Sequence, residues 1–433
     1  MIASTALIIR IASTIDRCPA MMSSRKIVEG EGGVSMDDTA KNDDLPAMLK
    51  GSLEALLSYC RKNNWAGFDP YDGLNSRLYQ ATPLKKSKIC RLALIQILKR
   101  LPINLRPMLL VPKEQNPKAI ALFLTAFVKL SRSRVLIADD LIREMTALLV
   151  DMRSPDTPYW SWGYSFPWQT RGELVPRGAA NLVCTVFVSN ALLDAYEYNN
   201  DPQCLRMATS AADYLLNELY WTEGESVACF SYPLPRLQVP VHNANFLGAA
   251  LLCRIGKHTG EKKYVDTALR VARYSAARQH PDGSWDYGEL STQGWVDNFH
   301  TGYNLCALRS IGHCAETDEF ATRIRLGFDF YLRHFFREDG APRYFKTRTY
   351  PIDIHSVAQS IITLLEFEDF DSKNFHQAGA VLRWGLDNMR DPEGYFYYQV
   401  LPLFTNRISY MRWSQAWMLL ALSTFAENLH ERV

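Results

Sequence analysis

The feature that most constrains this chain is an internal repeat with a period near 57 residues. Four eighteen-residue segments (203–220, 262–279, 319–336 and 373–390) carry helical periodicity, and their starts lie 59, 57 and 54 residues apart. In the second, Tyr264, Ala268, Val271 and Ser275 form one row and Val265, Leu269, Ala272 and Ala276 the next. Lys262, Lys263, Asp266, Arg270 and Arg273 take the other side, as an amphipathic surface helix requires. Each segment runs into a glycine turn followed by aromatics: Glu223-Gly224 before Phe230, Asp282-Gly283-Ser284-Trp285, Asp339-Gly340 before Tyr344 and Phe345, and Glu393-Gly394-Tyr395-Phe396. Glycine supplies the positive φ of such a turn, and the short acid caps local amides. A second kind of helix follows each turn (243–255, 299–311, 355–367 and 412–425). It is apolar on nearly all faces and therefore buried.

Two more units lie upstream. Segment 140–152 reads as outer with 181–195 as inner, and 48–61 as outer with 119–130 as inner. The last pair is split by an insertion at about 66–116 that contains a helical stretch, 87–101. Six inner and six outer helices predict an all-α fold, a closed (α/α)6 toroid forming a single domain over 45–433. The alternative use of the same hairpins is an open α-solenoid that binds proteins. Residues 1–44 read as a disordered leader, polar and Gly-rich over 21–44, or as an over-long start, because Met36 stands directly before the ordered part.

Composition narrows the function classes. A formal net charge of +2 leaves no overall electrostatic footprint for nucleic acid or an anionic membrane. No uncharged apolar run reaches the ~18–20 residues of a membrane span. Nine scattered cysteines with no C-x-x-C pair predict reduced thiols in a cytoplasmic protein. The aromatic share, 12%, is high for a neutral chain, and is expected either in a large core or in a sugar-stacking cleft.

In a closed toroid the inner helices start at one mouth, where functional residues should collect in register. The starts read Asn181, His242-Asn243, Asp297-Asn298-Phe299-His300, Asp353-Ile354-His355 and Arg412-Trp413. His242, His300 and His355 are 58 and 55 residues apart. Any one of these polar residues could simply cap its helix, but three histidines on otherwise apolar helices point to a polar pocket. Aromatic loops empty into the same mouth. Trp160, Trp162, Tyr164, Phe166 and Trp168 crowd before Arg171, and Tyr232, Trp285, Tyr287 and Trp295 come from other loops. Asp297 is the expected acid/base, with His300 beside it. Asp286 or Glu289 would provide the second carboxylate of glycosidic hydrolysis, and Tyr303 a proton donor for elimination. Trp162, Trp168, Arg171, Tyr232, His242, Asn243, Trp285, Tyr287, His355, Arg412 and Trp413 are the expected substrate-binding set, with no metal and no cofactor.

Residues 279–285 (QHPDGSW) resemble the Q-x(2–5)-G-x-W turn of terpene cyclases, which are (α/α) toroids. The D-x-D-D run of the protonating cyclases does not occur here, nor does the D-x-C of the zinc prenyltransferases. The Cys and Cys-His zinc site of the lanthionine cyclases has no counterpart, since His313-Cys314 falls at the wrong end of its helix. A second resemblance runs from about Asp140 to the C-terminus. Residues 295–303 (WVDNFHTGY) and 412–417 (RWSQAW) look like the inner-helix starts of six-hairpin glycosidases, closest in pattern to the unsaturated glucuronyl hydrolases. That resemblance implies Asp297 as acid/base and Arg412 with Trp417 shaping the sugar site, although Trp413-Ser414 departs from the family's Arg-Gly. The His- and Asn-rich mouth also resembles toroidal polysaccharide lyases and sugar epimerases.

Together these features predict an enzyme acting on an acidic sugar or oligosaccharide, by hydrolysis first and by uronate elimination or epimerisation second. The reading from another class is a non-catalytic glycan-binding or assembly protein of polysaccharide synthesis. The oligomeric state is not legible.

Overall fold

The computed structural model describes residues 44–432. The leader read over 1–44, except Asp44, lies outside the described residues. In chain order the principal helices are α1 (Leu45–Lys62), α2 (Lys88–Arg100), α3 (Pro117–Arg132), α4 (Asp139–Asp151), α5 (Leu182–Asn199), α6 (Pro202–Tyr214) and α7 (His242–Thr259). They continue with α8 (Lys262–Ala276), α9 (Asn298–Cys314), α10 (Ala321–Phe335), α11 (Ile354–Glu366), α12 (Lys373–Met389) and α13 (Trp417–His430), the last preceded by a π-helical turn, Met411–Ala416. Short two- and three-stranded ribbons occupy the loops.

The inner ring is α3, α5, α7, α9, α11 and α13. Each packs on the next, and α13 returns against α3, so the ring is closed and the open solenoid is excluded. Turns of two to six residues join each inner helix to the following outer one, so α4, α6, α8, α10 and α12 each pack on the inner helix that precedes them. This corrects the pairings expected from the repeat, which grouped each outer helix with the inner helix that follows it. The unit 48–61 precedes 119–130 in sequence, yet α1 packs on α13 and α12, joining the first outer helix to the last inner one. Within the 66–116 stretch, α2 rests its Ile95 and Leu98 on the Asp72–Asn75 turn.

The glycine turns hold the outer ring together. Gly283 has φ +97°, and a Cβ there would lie 2.3 Å from the Leu326 carbonyl oxygen of α10. Gly394 has φ +93°, and its Cβ would lie 2.6 Å from the Ala55 carbonyl oxygen of α1. Each turn therefore needs both the left-handed backbone and the missing methyl to seat on the neighbouring outer helix. Gln279 ties the same joint by donating from Nε2 to the carbonyls of Gly283 at 3.0 Å and Arg323 at 2.9 Å. Four of the inner helices begin on a side-chain cap. Asn116 accepts from the Lys118 amide, Asn181 from Cys184, Asp297 from His300 and Asp353 from His355.

Candidate functional site

The inner-helix starts surround a cleft of about 820 Å³. Its geometry follows from one helical position. Counting from each N-cap, the second residue is Lys118 in α3, Val183 in α5, Asn243 in α7, Phe299 in α9, His355 in α11 and Arg412 in the turn leading into α13. All six line the cleft. The second turn-position of each inner helix points into the ring, so the pseudo-sixfold fold brings six side chains from across the sequence to one floor. His300 and Trp413, one residue further on, and Tyr303 complete it.

Two hydrogen-bonded pairs carry the proton chemistry available there. Asp297 is buried. Its Oδ1 caps the His300 amide at 2.9 Å, and its Oδ2 accepts from His300 Nδ1 at 2.8 Å. With Nδ1 held by a carboxylate, Nε2 of His300 is left as the basic nitrogen. One turn along the same helix, the Tyr303 hydroxyl is hydrogen-bonded at 2.5 Å to Nε2 of His355, which comes from the adjacent helix α11. His355 is stacked on Phe299 (centroids 4.5 Å apart) and wedged against Trp417 and Trp413. Burial, followed by the nearby charges of Lys118 and Arg412, drives its pKa well below the usual histidine value, so the ring is neutral. Tyr303 stands 5.9 Å from both imidazoles, centroid to centroid, and Phe299 touches both.

The charged groups are arranged unequally. Arg412 is held in a bidentate ion pair by Asp69 (2.7 and 2.8 Å) and lies over Tyr164. Asp353 does not face the cleft. It caps α11 and accepts from Trp413 Nε1 at 2.9 Å and Gln399 Nε2 at 2.7 Å, and burial raises its pKa to about 6. Lys118 is only 4% exposed, and among the described residues no carboxylate is bonded to its ammonium. It lies 3.9 Å above the Phe187 ring and 5.3 Å from that of Trp417. Burial first, then the Arg412 charge, pulls its pKa well below the lysine value. Asn243 Oδ1, His355 Nδ1 and Trp168 Nε1 belong to cleft-lining residues and are buried without a partner. Natural interiors rarely tolerate such groups, and a polar ligand would satisfy them.

Of the residues expected from sequence, the cleft brings together His300, Tyr303, Asp286, Trp168, Tyr232, Asn243, Tyr287, His355, Arg412 and Trp413. Asp297 stands behind His300 rather than at the surface of the cleft. The others fall elsewhere. Glu289 accepts from the Tyr274 hydroxyl at 2.7 Å and from Arg278 at 3.2 Å, outside the cleft. His242 is buried against Ser275 Oγ at 3.2 Å, with burial pushing its pKa down to about 4. It occupies the first helical position, while His355 occupies the second and His300 the third, so the near-equal sequence spacing concealed a rotation of about 100° per residue. Trp162 donates to the Leu149 carbonyl and Trp285 to that of Ser275; both are core residues. Arg171 lies exposed on the hairpin after Trp168. Sequence reading passed over Lys118, Lys99 and Phe299 as site residues. The signal for Lys118 was available, since it stands two residues after an Asn cap on an apolar helix, in register with His355.

No family model matches the chain, and no curated protein matches its sequence. Solved structures match its shape. Cellobiose 2-epimerase from Bacillus thermoamylovorans aligns with TM-score 0.59 at 11% identity, over 74% of this chain and 88% of that one. A family 76 glycoside hydrolase α-mannanase from Bacteroides thetaiotaomicron aligns at 0.57 and 13%, over 73% and 87%. A possible member of glycoside hydrolase family 105 from Salmonella enterica serovar Paratyphi A aligns at 0.54 and 11%, over 73% and 84%. The chain has the fold of these proteins, the six-hairpin (α/α)6 toroid.

Proposed function

We propose that the chain is a carbohydrate-active enzyme that moves a proton at a sugar carbon, as an epimerase or uronate lyase does, and that its substrate is acidic. The observation that carries this reading is the pairing of two proton-transfer units in one cleft, Asp297–His300 and Tyr303–His355. A base needs a free nitrogen and an oriented ring, and His300 has both. The acid that returns a proton needs a hydroxyl free to donate to substrate while a donor supports its oxygen, and Tyr303 meets this when His355 carries its ring proton on Nε2. Glycosidic hydrolysis ordinarily needs two facing carboxylates. Among the described residues Asp286 is the only acidic residue that lines the cleft, and it is partly exposed beside His280. Hydrolysis is the second reading, supported by Asp286 together with Asp297 one shell behind.

The acidic substrate class is supported by the cleft's charge. Lys99, Lys118, Lys346, Arg348 and Arg412 line it against Asp286; Arg412 is paired with Asp69 and Lys346 with Asp282 at 3.5 Å, while among the described residues Lys99, Lys118 and Arg348 form no ion pair. An anion on the substrate would favour the charged form of Lys118. Carbohydrate as the substrate class is supported by the stacked Tyr287–Trp295 pair (4.4 Å, 13°) and the remaining aromatic walls, and by the activities named for the structural neighbours. A cytoplasmic location is supported by the eight described cysteines, all free thiols. The test is a panel of uronides and acidic oligosaccharides incubated in deuterium oxide, read for deuterium at carbon, unsaturated-uronate absorbance and new reducing ends. Proton transfer predicts deuterium uptake or absorbance that His300→Ala abolishes. Reducing ends released with neither signal would establish hydrolysis instead.

A further inference from the structure

The neutral overall charge hides a sharply uneven one. Residues 77–113 contain nine Lys and Arg and no Asp or Glu. Six of those cations (Arg77, Lys85, Lys86, Lys88, Arg100 and Lys113) are exposed, and among the described residues none of the six forms an ion pair. The same stretch is unusually apolar on its surface. Leu78, Leu84, Ile89, Ile97, Ile103, Met108 and Leu110 are each 48–74% exposed. They make up seven of the fifteen large hydrophobic residues found exposed, in less than a tenth of the described chain.

Local structure explains why these side chains face outward. Helix α2 is fastened to the toroid by Ile95 and Leu98, so Ile89, Ala93 and Ile97, one i, i+4, i+8 row, fall on the side away from that anchor. Arg91 donates to the Lys85 carbonyl at 2.6 Å, bringing Leu84, Lys85 and Lys86 onto the start of the helix. The Arg77 amide donates to the Leu110 carbonyl at 3.3 Å, bringing Leu78 beside Leu110. Apolar side chains interspersed with cations, without a single acid, fit neither a solvated surface nor an ordinary protein interface, which carries both signs of charge. They fit a surface that is anionic outside and apolar within.

We propose that the 77–113 face docks the protein peripherally on an anionic lipid bilayer, with Lys85, Lys86 and Lys88 meeting headgroups and Ile89 and Ile97 entering the boundary with the acyl chains. This is adsorption, not spanning: among the described residues no helix is long and apolar enough to cross a membrane. Lys99, on the anchored side of the same helix, lines the cleft, so the helix that carries the docking face also contributes to the cleft wall.

The test is co-sedimentation of the full chain with vesicles of phosphatidylcholine alone and of phosphatidylcholine mixed with phosphatidylglycerol. Binding is expected to the mixed vesicles only and to weaken as salt is raised. Lys85→Glu/Lys86→Glu/Lys88→Glu should weaken it about tenfold or more, and Ile89→Ser/Ile97→Ser should weaken it even at low salt, both with unchanged circular dichroism. No sedimentation with the mixed vesicles, equal binding to phosphatidylcholine alone, or indifference to either variant overturns the proposal. So does a dimer in light scattering that the isoleucine variant dissolves, which would make this face a contact between two copies of the chain.

Discussion

Asp297→Asn gives the sharpest test of the proton-transfer reading, because it changes one proton and little else. Asp297 uses its two oxygens differently: Oδ1 accepts from the His300 amide and Oδ2 from His300 Nδ1. Asparagine caps helices about as well as aspartate, so its carbonyl can keep the amide bond and stability should change by about 1 kcal/mol or less. Its NH₂ then faces Nδ1 and donates to it, which forces the imidazole proton onto Nε2. The base is thereby lost without moving the ring. General-base catalysis contributes about 10²–10⁴-fold, equivalent to roughly 3–5 kcal/mol of barrier. The assay is initial rate of deuterium incorporation on the best substrate of the panel, with binding measured separately by calorimetry. The expected result is a rate lower by that factor with the dissociation constant nearly unchanged. A variant that folds, binds and still exchanges within about tenfold of the parent rate would show that the dyad is structural and would remove the main support for the mechanism.

Three other outcomes follow from individual side chains. Lys118→Met removes a buried, desolvated amine from an apolar cage, so the melting temperature should stay level or rise while KM for acidic sugars increases at least tenfold; equal losses on neutral and acidic sugars would count against an anion subsite. Gly283→Ala places a methyl 2.3 Å from a carbonyl oxygen at φ +97° and should cost about 2–4 kcal/mol in denaturant melts, whereas Gly224→Ala, with open space around it, should cost less. His242 is neutral in the fold, with a pKa near 4 against 6.5 in the unfolded chain. The unfolded state takes up the proton first, so stability falls as pH drops from about 6.5 to about 4, by roughly 3 kcal/mol at the low end. His242→Asn should flatten the melting temperature across that window, and an unchanged pH slope would assign the acid sensitivity to other groups.

The sequence by itself determined the architecture. Repeated amphipathic and all-apolar helices at a period near 57 residues, each closed by an acid-Gly turn, can bury their faces only as hairpins, and Asn181, Asp297 and Asp353 marked where inner helices begin. It also put His300, Tyr303, His355, Asn243 and Arg412 at the mouth. What it could not decide was rotation and partnership. One residue along a helix start turns a side chain by about 100°, which separates His242 in the wall from His355 in the cleft and which brings Lys118 inward. Pairs such as Arg412 with Asp69, 343 positions apart, and the packing of α1 on α13, exist only once the ring closes. Local pattern fixes periodicity, but which face of each helix becomes the floor of the cleft is set by six helices packing at once.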